Sequence, residues 1–405
     1  MNDLAIRLRQ AGAIACAVVT AGVVSGGCGS SPGPSGDAPP ACISLKAPLA
    51  LAIGARANNP APALTPAVTT LLNSAVDAYK TVTLVRLDGQ PKVVFSQALS
   101  PGANTQTTKQ AKDKYVANLN RVLAGTSQQA TDIRAQVQQA DPLDALAVAA
   151  STVPAGGDVI MMDSGLQTSE PLDFRTGLLS DDPRSIVEFL RQANELPDLK
   201  GRHVYFVGLG WTASPQPALS ISNRAKVVEI WKEIARAAGA TCVATDETAN
   251  TRSAVANRPP VAIVKPPPPP RPVISCAVVN LGDANHVGFI VNSTTFRDPS
   301  GARTTLGQIA KLMLRTGESV TLTGSTSSEG TDQYNNRLSL RRAEAVKAVL
   351  LQLGVPAARI SAIGDGSHLP GRVNDRGPNG TLLIGPAIED RKVVAKLTGP
   401  KCRNS

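Results

Sequence analysis

Five consecutive prolines at residues 266–270, followed by Arg271 and Pro272, cut this 405-residue chain into two unequal blocks. Each proline fixes its own φ and removes a backbone donor, so neither a helix nor an interior strand can run through the stretch. The run is expected to form an extended polyproline helix, rising about 3.1 Å per residue, and to act as a stiff spacer. Folding must therefore proceed on either side of it. The length also exceeds what one hydrophobic core usually holds, which points to two domains.

The ends of the blocks can be placed. Arg7 and Arg9 precede an unbroken small and apolar run, residues 11–24, that closes with Ser25-Gly26-Gly27-Cys28, so residues 1–27 read as an export signal peptide. The apolar run is too short to span a hydrocarbon core about 30 Å thick with ease. Small residues ahead of Cys28 resemble a bacterial lipobox, which implies lipid attachment at the Cys28 sulfur and a chain held to a membrane by that anchor. Residues 28–41, rich in Gly, Pro and Ser, suit a flexible tether. Beyond Cys16 and Cys28 the cysteines are Cys42, Cys242, Cys276 and Cys402, and an even number in an exported chain suggests disulfides. Three pairings are possible. Cys42 with Cys242 and Cys276 with Cys402 is the preferred set, because each pair then brackets one block. On the chain-entropy model each closure stabilises by about 4 to 5 kcal/mol. The expected layout is a domain at 42–251, a proline-rich linker at 252–275 and a domain at 276–402.

Composition narrows the partners. A net charge of +10 favours an anionic partner, but 2 Trp, 4 Tyr and 6 Phe leave few rings for stacking bases, so no nucleic acid is expected. No two cysteines have the close spacing of a zinc site and there are 3 histidines, so no metal and no cofactor are expected. Nucleophile-elbow, phosphate-loop and metalloprotease motifs are missing from the sequence, which argues against an enzyme.

In the first block, strand-like runs at residues 48–54, 158–162 and 203–209 alternate with helical patterns at 66 onward, 109–124, 142–150, 184–195 and 225–238. Thr65-Pro66 is a helix-start signal, and Asp88-Gly89 between residues 82–87 and 92–95 is a hairpin signal. The fold class is α/β: a doubly wound, mostly parallel sheet in the first block, a second α/β domain after the linker. Strand, helix, early antiparallel hairpin and then repeated strand and helix is similar to the von Willebrand A-like order. Metal-binding members of that group carry an Asp-x-Ser-x-Ser cluster after the first strand. Here that place reads Gly54-Ala55-Arg56-Ala57-Asn58, without the hard oxygen ligands. Asn58, Asn59, Asp163, Ser164 and the Gly210-Trp211-Thr212 turn mark the crevice at the strand ends where a ligand of this domain would sit.

In the second block, residues 286–296 read as strand and turn, 305–314 as a helix burying Leu306, Ile309, Ala310 and Leu314, and 319–324 as a strand. Ser339 is read as the cap of a helix running to Leu353, with Ala343, Val346, Leu350 and Leu353 inward. Residues 359–363 and 392–397 complete the sheet. The chain carries Gly324-Ser325-Thr326-Ser327-Ser328-Glu329-Gly330, Tyr334-Asn335, Leu338-Ser339-Leu340-Arg341-Arg342-Ala343 and Gly354-Val355. Together these resemble the OmpA-like, or OmpA/MotB C-terminal, peptidoglycan-binding domain over residues 287–397. The resemblance implies that Arg342 grips the carboxylate of the diaminopimelate side chain in the wall stem peptide. It also implies a loop aspartate for the ammonium end, and at that position stands Ser327. Glu329 and Asp332 are the carboxylates expected to stand in for it, with Thr326 and Asn335 near the pocket. The closing motif is Asp390-Arg391-Lys392-Val393, and residues 376–388 depart from the family pattern.

The expectation is a lipid-anchored cell-envelope protein that binds peptidoglycan non-covalently through its second domain and links it to the membrane or to an unknown protein or small-molecule partner of the first. Two alternatives stand beside it. One is an adaptor whose second domain keeps the fold without diaminopimelate binding; the other is an envelope enzyme using the first domain.

Overall fold

The computed structural model describes residues 38–99, 108–267, 272–399 and 402. The signal peptide, Cys28 and most of the tether lie outside the described residues, as do Pro268–Pro270 and Arg271 of the proline run. Among the described residues no helix is long and apolar enough to cross a membrane.

β1 (Leu49–Ile53) is apolar throughout, and β4 (Asp158–Met162) and β5 (His203–Val207) are apolar after their first residues, because both of their faces are covered. Leu49, Leu51, Ile53, Ile160, Met162 and Tyr205 enter one core, with α1 (Pro66–Asp77) and α2 (Lys109–Asp132) over it. Ala50, Ala52, Val159, Met161, Val204 and Phe206 enter the other, beneath α3 (Pro142–Ser151), α4 (Pro183–Gln192) and α5 (Ile221–Ala237). Alternation along an extended strand produces this division. The sheet order is β3-β2-β1-β4-β5-β6, with β2 at Thr81–Arg86, β3 at Lys92–Ala98 and β6 at Cys242–Asp246. Only β3 runs antiparallel, through the hairpin, so the sheet is doubly wound and mostly parallel. Thr65 caps α1 with Pro66 in its first turn.

The second sheet has the order β7-β10-β8-β9, from β7 (Val278–Leu281), β8 (Ser319–Gly324), β9 (Ile360–Gly364) and β10 (Val393–Thr398). β8 and β9 are parallel and the other pairs antiparallel. α6 (Pro299–Thr316) and α7 (Asp332–Gln352) cover its core, which buries Leu306, Ile309, Ala310, Ala343, Val346 and Leu350. Both disulfides form, Cys42–Cys242 and Cys276–Cys402.

Several expectations need correction. Ser339 lies within α7; Thr331 caps the helix by accepting from the Tyr334 amide, because the polar loop before it is short enough to end there. Leu314 is exposed, and Leu312 and Met313 are inward instead. Residues 286–296 contribute a single bridge, Phe289 to Phe296, in place of a strand. The segment ahead of the prolines is docked to the first sheet: Val264 is fully buried and exchanges both backbone bonds with the Gln216 side chain. A short helix in the divergent segment, α8 (Ile384–Asp390), was not anticipated, and it sends Ile384, Ala387 and Ile388 into the first body's core beside α4.

Candidate functional site

Two groups of buried polar residues gather where strands end, one in each body. In the first, Arg56 Nε and Nη2 donate to the two carboxylate oxygens of Asp163 at 3.1 and 2.8 Å, and Nη2 also donates to Ser164 Oγ. Gly165 N donates to Asp163 Oδ1 at 2.8 Å. Asn59 Oδ1 accepts from Ser164 N while its Nδ2 donates to Gly54 O. Gly54 is required there, since a Cβ would stand 1.8 Å from Asp163 Oδ2. Asn58 Nδ2 donates to the carbonyls of Val261 and Ala262. The crevice residues thus bond to one another and to the chain's own segment 261–264. The Arg56 guanidinium and the Asp163 carboxylate are both buried, so the pair is closed to solvent. Alongside remains a cleft of about 280 Å³ lined by Asn59, Thr65, Trp211, Asn250 and Arg252. Trp211 lies under the Arg224 guanidinium, 4.4 Å from its ring centre.

The second group is built differently. Gly324 ends β8 where a Cβ would lie 1.9 Å from Ser339 O, so α7 can approach the strand end only over a glycine. The loop that follows is pinned by backbone bonds from Ser325 N to Lys392 O and from Thr326 N to Gly366 O. Ser339, inside α7, accepts from Gly366 N through its hydroxyl and so holds the adjoining loop. On the same face of α7, Arg342 is 1% exposed. Its Nε donates to Ser293 O at 3.0 Å and its Nη2 to Ile290 O at 3.4 Å, its carbon lies 5.2 Å from the Phe289 ring centre, and Nη1 has no hydrogen-bond partner. No carboxylate pairs with it among the described residues. Burial first, and then the Arg391 guanidinium, push Arg342 down to about 9, against the weaker pull of Tyr334 and Asp283, so it is a buried cation with no carboxylate at ion-pair distance among the described residues. Around it, Ser325 Oγ, Thr326 Oγ1 and Asn335 Nδ2 are buried and equally unpartnered. Buried polar atoms are nearly always paired, so these four are exceptions.

The remaining expected residues divide. Ser327 is buried and its hydroxyl accepts from Arg391 Nε at 3.5 Å. Glu329 is committed to Arg391 Nη2 at 3.1 Å. The Asp332 side chain, 73% exposed at the start of α7, lies 3.8 Å from His368 Nε2. A carboxylate that sequence reasoning missed is bonded to the loop: Asp375 is fully buried, and its Oδ2 accepts from Ser328 N at 2.6 Å and pairs with Arg372 at 2.8 Å. Its Oδ1 has no partner. Burial opposes its charge, but the Ser328 and Arg372 donors outweigh that and hold its carboxyl below the usual range. It stands one residue ahead of the divergent segment 376–388 and 47 residues after Ser328, so only the fold brings the two together.

Residues 289–379 match the OmpA family. The second body is an OmpA-like domain. Over 70 residues the chain is 43% identical to the outer-membrane lipoprotein YfiB of Pseudomonas aeruginosa, which spans 17% of this chain and 42% of that protein. Over 85 residues it is 39% identical to outer membrane protein A of Escherichia coli O157:H7, or 20% of this chain and 25% of that protein. The chain therefore spans less than half the length of these curated relatives. Among solved structures, the peptidoglycan-associated lipoprotein from Burkholderia pseudomallei aligns with 23% identity over 27% of this chain and 86% of that one, with a TM-score of 0.23. The matched region of the OmpA-like domain contains Arg342, the loop 324–330 and Asp375.

Proposed function

We propose that this chain is a cell-envelope protein whose OmpA-like domain binds the diaminopimelate-containing stem peptide of peptidoglycan, without catalysis. The observation that carries the reading is the unpaired Arg342 guanidinium among unpartnered Ser325, Thr326 and Asn335 atoms. A stem-peptide carboxylate brought to Arg342 would supply the missing counter-charge, and a planar guanidinium holds a carboxylate through two parallel hydrogen bonds. The ammonium end would be accepted by the Ser327 and Thr326 hydroxyls and by Asp375 Oδ1, which takes the electrostatic part of the aspartate that position 327 lacks. Lipid attachment at Cys28 would make the chain a tether between membrane and wall. The name of one relative, an outer-membrane lipoprotein, supports this reading.

For the first body we propose a von Willebrand A-like module in which Arg56 takes the place of a metal, and whose own role is to engage a partner. The closed Arg56–Asp163 pair favours that over an enzyme. Retention of the full chain on purified diaminopimelate-type peptidoglycan tests the central reading: retention that falls at least about tenfold on Arg342→Ala supports it, and equal retention of both forms leaves the adaptor alternative. A tenfold loss corresponds to about 1.4 kcal/mol, below the 1.5 to 3 kcal/mol typical of a hydrogen bond to a charged group.

A further inference from the structure

Residues of the first body touch the groups that bond to the Arg342 turn and to the loop 324–330. Two successive residues of α4 face the OmpA-like domain. Glu188 takes both outer nitrogens of Arg297, at 3.2 and 3.0 Å. Arg297 in turn donates to Phe289 O at 3.0 Å, at the start of the turn 289–296 whose Ile290 and Ser293 carbonyls cap Arg342. The stacked rings of Phe289 and Phe296 tie the ends of that turn together, 4.9 Å between centres. Phe189, next along α4, lies 4.3 Å from the Arg391 guanidinium, which reaches Ser327 and Glu329 on the other side of the pocket. Ser185, one turn earlier, donates to Asp283 Oδ2 at 2.5 Å. Around these polar contacts, Ile384, Ala387 and Ile388 of α8 are buried in the first body's core. Gly385 permits the approach: a Cβ there would stand 2.0 Å from Thr176 Oγ1 and 2.6 Å from Thr176 O.

Resting on the wall-binding reading, we propose that α4 is an intramolecular latch over the stem-peptide pocket: while Glu188 and Phe189 hold Arg297 and Arg391, the turn 289–296 stays closed on Arg342, and undocking of the first body opens it. The first body is then the regulator of wall binding, and a partner that draws α4 away would switch the chain from a free to a wall-attached state. A closed pocket lowers apparent affinity by the fraction of molecules that are open, so release of the latch raises it by the inverse of that fraction.

The test uses the full chain, its retention on purified diaminopimelate-type peptidoglycan and its radius of gyration by small-angle scattering. Glu188→Arg, from the first body, and Gly385→Ala, from the second, are each expected to expand the molecule and to tighten retention about tenfold, with the gain abolished by adding Arg342→Ala. Glu188→Arg combined with Arg297→Glu rebuilds the ion pair with reversed sign and is expected to return the radius to the starting value. Three results overturn the proposal. If the single variants expand yet are retained like the unmodified chain, and Arg342→Ala still abolishes that retention, wall binding stands and the latch does not. If even their combination keeps the original radius, these contacts do not hold the bodies together. If neither unmodified nor expanded chains exceed the Arg342→Ala level, the wall-binding reading itself has failed.

Discussion

The two strand-end clusters contain much the same ingredients, an arginine, amides and hydroxyls, all buried, and they resolve their charges in opposite ways. Arg56 meets Asp163 through two hydrogen bonds, and Asn59 and Ser164 satisfy each other, so within the cluster only Asn58 Oδ1 is left over. Arg342 meets two backbone carbonyls and no carboxylate, and its neighbours are left with free donors and acceptors. Burial alone therefore does not distinguish the two arginines; pairing does. A closed network stabilises the fold by its mutual satisfaction, whereas an open one holds a cation in a dry site at a cost that an anionic ligand can offset.

Stability measurements should separate the two clusters most strongly. Arg56→Ala strands the Asp163 carboxylate in a site with no solvent, and loss of one partner of a buried pair costs about 3 to 5 kcal/mol. Urea denaturation should report a loss of that size in the first body; a loss below about 1 kcal/mol would mean that the pair is not the structural link described. A smaller effect is expected at the open cluster. Ser327→Asp places a carboxylate beside the ammonium acceptors, and a hydrogen bond to a charged group is worth about 1.5 to 3 kcal/mol. Wall retention should tighten at least about tenfold, and unchanged retention would count against an ammonium held by this loop.

The smallest effect concerns pH. Asp181, ahead of α4, faces Asp283 and Glu389 of the OmpA-like domain and Asp182 and Lys226 of its own body. Burial chiefly, and the neighbouring carboxylates next, hold its carboxyl well above the ordinary value of 3.8. Burial also raises Asp283, against the opposing pull of Ser185 and Arg297. The docked form therefore binds the extra protons. Docking should be strongest below pH 3.8 and weaken as pH climbs through the raised values. Scattering between pH 4 and 8 should show the radius growing, and Asp181→Asn should flatten the dependence; a radius that shrinks with rising pH would reverse the assigned sign.

Local chemistry explains which parts of the fold were legible in the sequence. Thr65-Pro66, the Asp88-Gly89 hairpin and the apolar run at 158–162 are signals that a few residues carry by themselves, and each produced the expected element. α8 has seven residues with Gly385 and Pro386 among them, so little in its own propensity announces a helix; packing of Ile384 and Ile388 against α4 forms it. Docking of Val264 on Gln216 is likewise a long-range event. At the site, the three-residue offset puts Ser339 and Arg342 on one face of α7, a relation that taking Ser339 as the cap left out. That Glu329 would be spent on Arg391, and that Asp375 would hold Ser328 N, depended on contacts 62 and 47 residues apart.

Arg342→Met tests the contrast between the clusters most directly, because it removes the charge and retains much of the side chain's volume. If the guanidinium is an unpaired cation awaiting a carboxylate, denaturant titration should find stability unchanged or slightly raised, while retention on diaminopimelate-type peptidoglycan is lost. A variant that unfolds readily and still binds the wall as tightly as the parent would contradict the account.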